Sequence, residues 1–292
     1  MDIGFIGAGK VCHALSFYFG QNHSIRGIYS RRFGSAVELA KKIESVAYER
    51  IEDLVRDSEL ILISTTDDQI GTVVEQMAGL ELSGKSIAHL SGSLSSELLR
   101  PLYEQGATVL SLHPAQSFSD PKSALLQLGN TVFTFEGMGD QEQVVERLFE
   151  GLPNERIRIS SQSKCRYHIA SVMLSNYLVA LYGLSEELLE QSGMSKEQSQ
   201  RLLLPLLDST VNNLRERGFS ALTGPLERGD VDTIRRHLED LENDRLIETI
   251  YRSMAKKTLT LLEKNGREVS EQMNKVLTEK DQREEMDAKF GR

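Results

Sequence analysis

Residues 1–15 read MDIGFIGAGKVCHAL, a short apolar run followed at once by a glycine-rich turn and a helical pattern. The run at residues 3–6 predicts a buried strand, and Val11, Ala14 and Leu15 predict the first turns of a helix. A strand, a glycine turn and a helix in this order form the context that a dinucleotide-binding fingerprint requires. The stretch therefore predicts a nucleotide site at the start of the first helix, in preference to an ordinary turn that uses glycine only for its geometry.

Each position of this turn has a physical role. Gly7 permits the tight turn, and Gly9 lacks a Cβ, so a pyrophosphate can approach the backbone at the positive end of the helix. The third position normally holds Gly or Ala for close packing, and here it holds Cys12, which is small enough to be a tolerable variant. The predicted cofactor-binding residues of the turn are Gly7, Ala8, Gly9, Lys10 and Val11.

The composition limits the classes of partner. A chain of 292 residues is comfortable for two domains, and its net charge of −9 disfavours nucleic acid and anionic membranes. No apolar run approaches the ~18 residues of a membrane span, and no signal peptide is evident. Two cysteines, outside any CxxC pair, predict a cytoplasmic protein with reduced thiols. No motif predicts a metal site.

The first half alternates apolar runs with amphipathic segments, which predicts an α/β fold with a parallel, doubly wound sheet. The predicted strands are residues 3–6, 25–29, 60–64, 86–90, 108–112, 131–135 and 157–159. Helices are predicted at 36–43, 70–77, 94–103 and 141–149, besides the one that follows the glycine turn. The run at 60–64 is continuously apolar and predicts a strand that is buried on both faces.

After residue 159 the pattern becomes helical. One long helix is predicted from 163 to 191, ending at Gly193, and Ser195 with Gln198 predicts a capping box for the next helix. That helix contains Pro205 and ends at Gly218, and two further helices are predicted at 232–241 and 246–262. The charged tail after residue 266 predicts a solvated or frayed helix. We therefore expect a nucleotide-binding domain at 1–160 and an all-α domain at 161–292.

The end of the second predicted strand indicates which dinucleotide binds. NAD enzymes place an acidic residue there for the ribose 2′-hydroxyl, whereas NADP enzymes place Arg. This chain has Ser30, Arg31 and Arg32, two guanidinium groups and a hydroxyl that can hold a 2′-phosphate. Two solvated surface arginines are the alternative. Given the glycine turn upstream, we predict NADPH rather than NADH.

Polar residues follow two further strands at the edge where ligands bind in open α/β sheets. Thr65 and Thr66 precede Asp67 and Asp68, and Ser91-Gly92 follows the next strand. We predict that Thr65, Thr66, Ser91 and Gly92 line the cofactor crevice. The alternative is that Asp67 or Asp68 merely caps the following helix.

His113 follows the strand at 108–112 and opens the segment HPAQSF. At a strand's carboxyl end an imidazole faces the crevice, where it can bond a substrate oxygen. A histidine satisfied by local backbone in a proline turn is an equally weighted alternative.

Five residues at the start of the long helix form the sharpest constellation. Lys164, His168, Ser171 and Ser175 share one helical stripe, and Asn176 lies beside it. An ammonium at a cleft can stabilise a developing oxyanion and donate the proton that ketone reduction needs. A solvated first turn is the alternative, but the adjacent domain boundary favours function. We predict that Lys164, His168, His113 and Asn176 are catalytic and that Ser175 contacts the substrate.

The loop at 223–230 reads TGPLERGD. A long polar loop between helices often carries function, and Arg228, with Thr223, is predicted to hold a substrate carboxylate. Helix punctuation is a compatible second role, with Pro225 in a first turn and Asp230 as an N-cap.

Together these segments resemble a two-domain family that pairs a Rossmann-like N-terminal domain with a C-terminal helical domain of unknown function. The resemblance covers nearly the whole chain, from about residue 1 to 262. Its motifs are GFIGAGKV at 4–11, LSG at 90–92, HPAQSF at 113–118, KCRYH at 164–168, SNYLVAL at 175–181 and LTGPLERGD at 222–230. The family belongs to the 6-phosphogluconate-dehydrogenase-like reductases, with ketopantoate, pyrroline-5-carboxylate and prephenate enzymes as relatives.

By this resemblance Lys164 matches the helix lysine that acts as general acid in ketopantoate reductases, and Asn176 matches a polar residue on the substrate side. The relatives place that Asn closer to the lysine, where this chain has His168, so the roles of His168 and Asn176 stay open. Some members look like an alternative ketopantoate reductase of pantothenate and coenzyme A synthesis. The leading expectation is therefore an NADPH-dependent reductase of a carboxylate-bearing ketone, 2-dehydropantoate first.

Two rival functions remain open. An imine reductase of the pyrroline-carboxylate type would use the same first domain, and a non-catalytic NADP-binding redox sensor would need no Lys–His stripe. The apolar faces of the helical half exceed what a lone helical pair buries, which predicts a homodimer.

Overall fold

The computed structural model describes residues 1–278 of the chain. The chain forms two compact units, Met1–Leu178 and Val179–Arg292. The helix that begins at Lys164 thus belongs to the first unit, whereas the predicted domain boundary after residue 160 stays a prediction.

The first unit is built on an eight-stranded sheet with the order β3-β2-β1-β4-β5-β6-β7-β8. Its strands are β1 (Asp2–Ile6), β2 (Ser24–Tyr29), β3 (Val46–Tyr48), β4 (Leu60–Ile63), β5 (Ser86–His89), β6 (Thr108–Pro114), β7 (Phe133–Met138) and β8 (Arg156–Arg158). All seven predicted strands are confirmed. β3 was missed because three residues at the sheet edge, with a half-exposed Val46, give almost no periodicity.

Helices connect these strands on both faces, as in a doubly wound fold. They are α1 (Lys10–Phe19), α2 (Phe33–Lys42), α3 (Ile51–Asp57), α4 (Asp67–Met77), α5 (Arg100–Tyr103), α6 (Pro121–Gln127) and α7 (Gln141–Leu148). Two apolar clusters fill the space above and below the sheet, and β4 is buried at all four residues. The predicted α/β class is confirmed, as is the two-sided burial of β4.

The prediction of a parallel sheet is wrong at one pairing, because β7 runs antiparallel to β6. The intervening helix α6 has seven residues and spans about 10 Å, whereas β6 spans about 23 Å. Such a short helix does not carry the chain back to the end of the sheet where β6 begins. β7 therefore starts beside the end of β6 and runs in the opposite direction.

The single long helix predicted for 163–191 is also wrong. The structure has α8 (Lys164–Leu174) and α9 (Asn176–Gln191), separated at Ser175. Ser175 Oγ donates to the carbonyl oxygen of Ser171 at 2.7 Å and to Asn176 Oδ1 at 2.9 Å. The backbone N–H of Ser175 still donates to the Ser171 carbonyl oxygen at 3.0 Å, and α8 ends at this residue, whose φ of −104° and ψ of −70° depart from helical values.

The second unit is helical. It holds most of α9, α10 (Lys196–Arg217), α11 (Pro225–Arg228), α12 (Val231–Asp240) and α13 (Arg245–Lys264). The Ser195–Gln198 capping box is confirmed, and Pro205 lies inside α10 as predicted. Pro225 at the start of α11 and Asp230 as the N-cap of α12 are confirmed as well.

The helix predicted for the tail after residue 266 is confirmed over residues 271–278, but the prediction that it is solvated is wrong there. Residues 271–278 are helical, and Met273, Val276 and Leu277 are buried in the cluster formed by α12 and α13. Three apolar residues at helical spacing suffice for this docking. Residues 279–292 lie outside the described residues. Across residues 1–278, no helix has the length and apolarity to cross a membrane.

Candidate active site

The glycine turn after β1 has the geometry that a pyrophosphate needs. Gly7 has a φ of 105°, and a Cβ there would lie 2.9 Å from the carbonyl oxygen of Ser64. Gly9 faces open space, with no atom within 4 Å of its Cβ position. The first turn of α1 has no acidic residue and no side-chain cap, so its backbone N–H groups point toward that space. Gly9 thus leaves room that a side chain would fill.

Cys12 occupies the third position of the turn as a packing residue. It is fully buried in the cluster under α1, and burial raises the pKa of its thiol to about 12. The thiol is therefore protonated at neutral pH and acts as a small apolar group. Lys10 extends from the same turn, and its Nζ donates to the carbonyl oxygen of Ser119 at 2.7 Å.

We expect substitutions at the two glycines to have different effects, a loss of dinucleotide binding at Gly9 and a loss of stability at Gly7. We expect Gly9→Ala to leave the melting temperature unchanged, because its φ of −85° suits alanine and its Cβ meets nothing, but to weaken dinucleotide binding about tenfold. Gly7→Ala forces a positive φ and a clash with Ser64, so we expect it to lower the free energy of unfolding by at least about 1 kcal/mol. Thermal denaturation and NADPH titration measure the two effects. Equal binding by Gly9→Ala and the native protein contradicts a pyrophosphate at this turn.

The end of β2 presents both arginines to solvent. Arg31 and Arg32 are exposed, and neither forms an ion pair within residues 1–278. Arg31 Nη1 donates to Gln69 Oε1 at 3.2 Å, and Arg32 occupies the N-cap position of α2. Ser30 is half-buried beside them. Two guanidinium groups without a carboxylate partner suit an anionic group such as a 2′-phosphate.

The ends of β4 and β5 are joined by one carboxylate. Asp67 Oδ2 accepts hydrogen bonds from Ser91 Oγ at 2.8 Å and from Ser93 Oγ at 2.7 Å. The N-cap of α4 is Thr66 rather than Asp67 or Asp68, so the capping alternative for the two aspartates is wrong. The neighbouring Thr65 Oγ1 is buried without a hydrogen-bond partner in the described part of the chain. The loops after these two strands are thus tied together at the ligand-binding edge.

Lys164 is the one buried lysine among residues 1–278, with only 1% of its surface exposed. It is the first residue of α8, and its Nζ donates to the carbonyl oxygen of Ser91 at 2.9 Å. Burial lowers the pKa of the ammonium from 10.5 to about 8, although Glu136 and Asp67 oppose this shift. A lysine with this pKa is charged at neutral pH and gives up its proton readily.

Two imidazoles converge on Gly92. A Cβ on this glycine would lie 2.6 Å from His168 Nδ1 and 2.8 Å from His113 Nε2. His168 Nδ1 is buried and has no partner among residues 1–278. Burial, the Lys164 ammonium and His168 lower the pKa of His113 to about 4, so His113 is neutral at pH 7. A glycine at position 92 therefore permits both rings to approach this point.

Sequence reasoning missed three residues of this group. Tyr167 Oη lies 2.8 Å from His113 Nδ1, and its position three residues after Lys164 on the helix was the available signal. His89 Nδ1 accepts from the backbone N–H of Ser91, and its Nε2 bonds the carbonyl oxygen of Ser95. The buried Glu136 accepts two hydrogen bonds from Ser96, each of 2.7 Å. His89 and Glu136 thus hold the segment that follows β5, at Ser91, Ser95 and Ser96, and Tyr167 holds His113.

The remaining predicted site residues are Ser175, Asn176, Thr223 and Arg228. Ser175 and Asn176 are exposed and bond each other where α8 ends. Thr223 and Arg228 are exposed residues of the second unit. Their assignment to a substrate stays a prediction. Among residues 1–278, no group of three or more His, Cys, Asp or Glu side chains is arranged to hold a metal ion.

Comparisons with known proteins agree with this architecture. Residues 1–114 match the model of a Rossmann-like domain, and residues 131–258 match that of a domain of unknown function, DUF2520. No curated protein sequence matches the chain. The predicted pairing of a Rossmann-like domain with a C-terminal domain of unknown function is confirmed.

Solved structures share the fold over most of their length. A candidate NADP oxidoreductase from Bacteroides fragilis is 23% identical, with 89% of this chain and 98% of that chain aligned at a TM-score of 0.72. A protein from Thermotoga maritima is 26% identical over 91% of this chain and all of that one, at a TM-score of 0.71. A reductive aminase from Aspergillus terreus, in complex with NADPH and ethyl-5-oxohexanoate, is 15% identical to this chain. The alignment covers 93% of this chain and 96% of the aminase, at a TM-score of 0.68. The chain therefore joins a Rossmann-like domain to a DUF2520 domain, and it has the fold of NADP-dependent oxidoreductases.

Proposed function

We propose that this protein is an NADPH-dependent oxidoreductase that reduces a small carbonyl compound bearing a carboxylate. The observation that carries the proposal is the buried ammonium of Lys164, fixed on the Ser91 carbonyl beside two imidazoles at the ligand-binding edge of the sheet. An ammonium held in a partly desolvated site is suited to a developing oxyanion.

The residues at the glycine turn and after β2 fit NADPH. Gly9 leaves open space at the N-terminus of α1 for a pyrophosphate, and Arg31 and Arg32 are free of carboxylate partners within residues 1–278. Thr65, Thr66, Ser91 and Gly92 are the residues proposed for the nicotinamide side. When bound, NADPH supplies the hydride that reduces the substrate carbon.

Lys164 supplies the proton in this proposal. As negative charge develops on the substrate oxygen, Nζ donates one of its protons to that oxygen and is left as a neutral amine. The amine regains its proton from water after the product leaves. His113 and His168, whose ring nitrogens face the same point at Gly92, orient the substrate oxygen by hydrogen bonds. The imidazole of His113, neutral because burial lowers its pKa to about 4, adds no charge that would compete with the ammonium.

The substrate assigned first is 2-dehydropantoate, on the resemblance of the KCRYH and LTGPLERGD motifs to the alternative ketopantoate reductases. The test is NADPH oxidation by the purified full chain with 2-dehydropantoate, run in parallel with NADH. Turnover with NADPH alone supports cofactor, reaction class and substrate together. NADPH binding without turnover on this ketone rejects the substrate but leaves the reductase open.

Reduction of a C=N bond is the second candidate, favoured by the similarity to the reductive aminase. The same cofactor residues suit a neutral cyclic imine, whose nitrogen takes the proton of Lys164 while hydride adds to the carbon. A cyclic imine with a carboxylate, pyrroline-5-carboxylate, is therefore the second substrate of the panel. Tight NADPH binding with no turnover on any ketone or imine points instead to a non-catalytic NADP sensor.

A homodimer is the proposed assembly. In the second unit, large apolar side chains of α9 and α10 remain exposed, among them Val179, Leu202, Leu204 and Leu206. Exposed apolar area of this extent marks an interface, and a second copy of the chain is the proposed partner. We expect light scattering to give twice the chain mass of 32.7 kDa, and Leu206→Asp to shift it toward one chain. A monomeric mass for the native protein contradicts the dimer.

A cytoplasmic location also stays a proposal, based on two free cysteines.

A further inference from the structure

Tyr167 has no part in the reaction as proposed, yet its side chain is bonded inside the site. Its hydroxyl oxygen lies 2.8 Å from Nδ1 of His113. The two rings meet edge to face, with centroids 5.6 Å apart and an interplanar angle of 79°. Lys164 Nζ lies 6.0 Å from the centroid of the same phenol ring. Tyr167 thus bonds one and faces the other of the two side chains, His113 and Lys164, that the proposed reduction assigns to the substrate oxygen.

The two nitrogens of His113 face different surroundings. Nδ1 faces the Tyr167 hydroxyl, whereas Nε2 faces Gly92, the point that His168 Nδ1 also approaches. A neutral imidazole has one N–H donor and one acceptor nitrogen, and the partner of one nitrogen decides the state of the other. The neighbouring ammonium and burial keep His113 neutral. The bond to Tyr167 therefore decides whether Nε2 is a donor or an acceptor.

The hydroxyl of Tyr167 is the donor in this pair. Within residues 1–278 the Tyr167 oxygen has no hydrogen-bond partner other than His113. If Nδ1 carried the proton and donated it to the phenol oxygen, the hydroxyl proton of Tyr167 would have no protein acceptor there. Donation by Tyr167 satisfies both groups and leaves the imidazole proton on Nε2.

We propose that Tyr167 is a positioning residue that holds His113 as the Nε2–H tautomer, so that His113 and Lys164 both present donors to one substrate oxygen. This inference rests on the proposed reduction, in which negative charge develops on that oxygen. Two donors aimed at a developing oxyanion stabilise the transition state more than the ground state. The acceptor tautomer would instead place a lone pair against that charge. Tyr167 therefore acts on the reaction through His113 and contacts no reacting atom.

The tautomer is measured directly in the ligand-free full chain by ¹⁵N-labelled histidine NMR, which distinguishes protonated from unprotonated ring nitrogens. The chain has six histidines, and the signal lost in His113→Gln assigns position 113. We expect Nε2–H in the native protein and a mixture of tautomers in Tyr167→Phe. An Nδ1–H tautomer in the native protein, or an unchanged tautomer in Tyr167→Phe, overturns the inference. This readout does not depend on turnover, so it decides the tautomer even if the proposed reduction is wrong.

Kinetics test the consequence on whichever substrate is turned over. We expect Tyr167→Phe to lower kcat about tenfold with an unchanged KM for NADPH. Glutamine at 113 places an amide N–H where Nε2 lies, so His113→Gln retains more activity than His113→Asn, and adding Tyr167→Phe to it has no further effect. Losses that multiply in the double variant contradict an action through His113. Tyr103→Phe, a half-exposed tyrosine of α5, is the matched control and keeps native kcat.

Discussion

Lys164→Met is expected to lower kcat about 10²- to 10⁴-fold, the range that a positioned proton donor contributes. Methionine fills nearly the same buried volume but provides neither charge nor proton. NADPH binding should be retained, because the residues assigned to the pyrophosphate and the 2′-phosphate follow β1 and β2, whereas at the nicotinamide side only the Ser91 carbonyl loses its ammonium donor. Steady-state kinetics together with NADPH titration by fluorescence measure both effects. A variant that keeps native turnover refutes Lys164 as the acid.

A second lysine, half-buried Lys85, provides the control for the loss of an ammonium that bonds backbone carbonyls. Lys85 Nζ donates to the carbonyl oxygens of Arg56 and Ser58 at 2.9 and 2.7 Å, at the start of β5 and away from the ligand-binding edge. Lys85→Met removes the same chemical group from two backbone carbonyls. We expect it to lower the melting temperature by at least as much as Lys164→Met while keeping native kcat.

The pH dependence of kcat should report the same ammonium. A general acid acts only when protonated, so kcat is expected to be level at neutral pH and to fall as pH rises through about 8, the pKa of Lys164. The charged groups that raise this pKa are Glu136 on β7 and Asp67 at the start of α4. His89 and His113 face it from β5 and β6, but both titrate at about 4 and leave this limb unchanged. Lys164→Arg keeps the charge without a transferable proton, so its residual kcat should show no decline near pH 8.

Local patterns sufficed for the parts of the fold and site that depend on neighbouring residues. The glycine turn, the Ser195–Gln198 capping box and the buried strand β4 follow from spacings of a few residues, so the sequence predicts them. The position of Lys164 at a helix start was also predictable. Its bond to Ser91, 73 residues away, was not, because no spacing rule relates a helix to a loop that distant in the chain.

The errors have the same physical origin. His113 and Tyr167 are 54 residues apart, and only the sheet order brings β6 next to α8. The direction of β7 depends on how far the α6 connection reaches, which apolar periodicity does not record. The break between α8 and α9 lies in the backbone dihedrals of Ser175, and the apolar pattern continues through that residue. The contact between His113 and Tyr167 and the direction of β7 therefore depend on tertiary geometry, which the spacing of apolar residues does not record.

The double variant Arg31→Ala/Arg32→Ala is expected to weaken NADPH binding about 10²- to 10³-fold and to leave NADH binding nearly unchanged. A hydrogen bond to a charged group contributes about 1.5–3 kcal/mol, and NADH lacks the 2′-phosphate that would accept such bonds. Arg31→Ala alone should give about a tenfold loss. Titration of each variant with NADPH and NADH, at two salt concentrations, measures the preference and the screening expected for exposed charges.

Arg147 is the matched control for this change, because it is an exposed arginine far from the carboxyl ends of the parallel strands. Its guanidinium pairs with Glu59, which directly precedes β4. We expect Arg147→Ala to bind both dinucleotides as the native protein does. Neither Arg31 nor Arg32 has a carboxylate partner in the described chain, so their loss should not lower the melting temperature. A double variant that still prefers NADPH would place the 2′-phosphate elsewhere. Equal losses for NADPH and NADH would mean that the arginines support the loop rather than the phosphate.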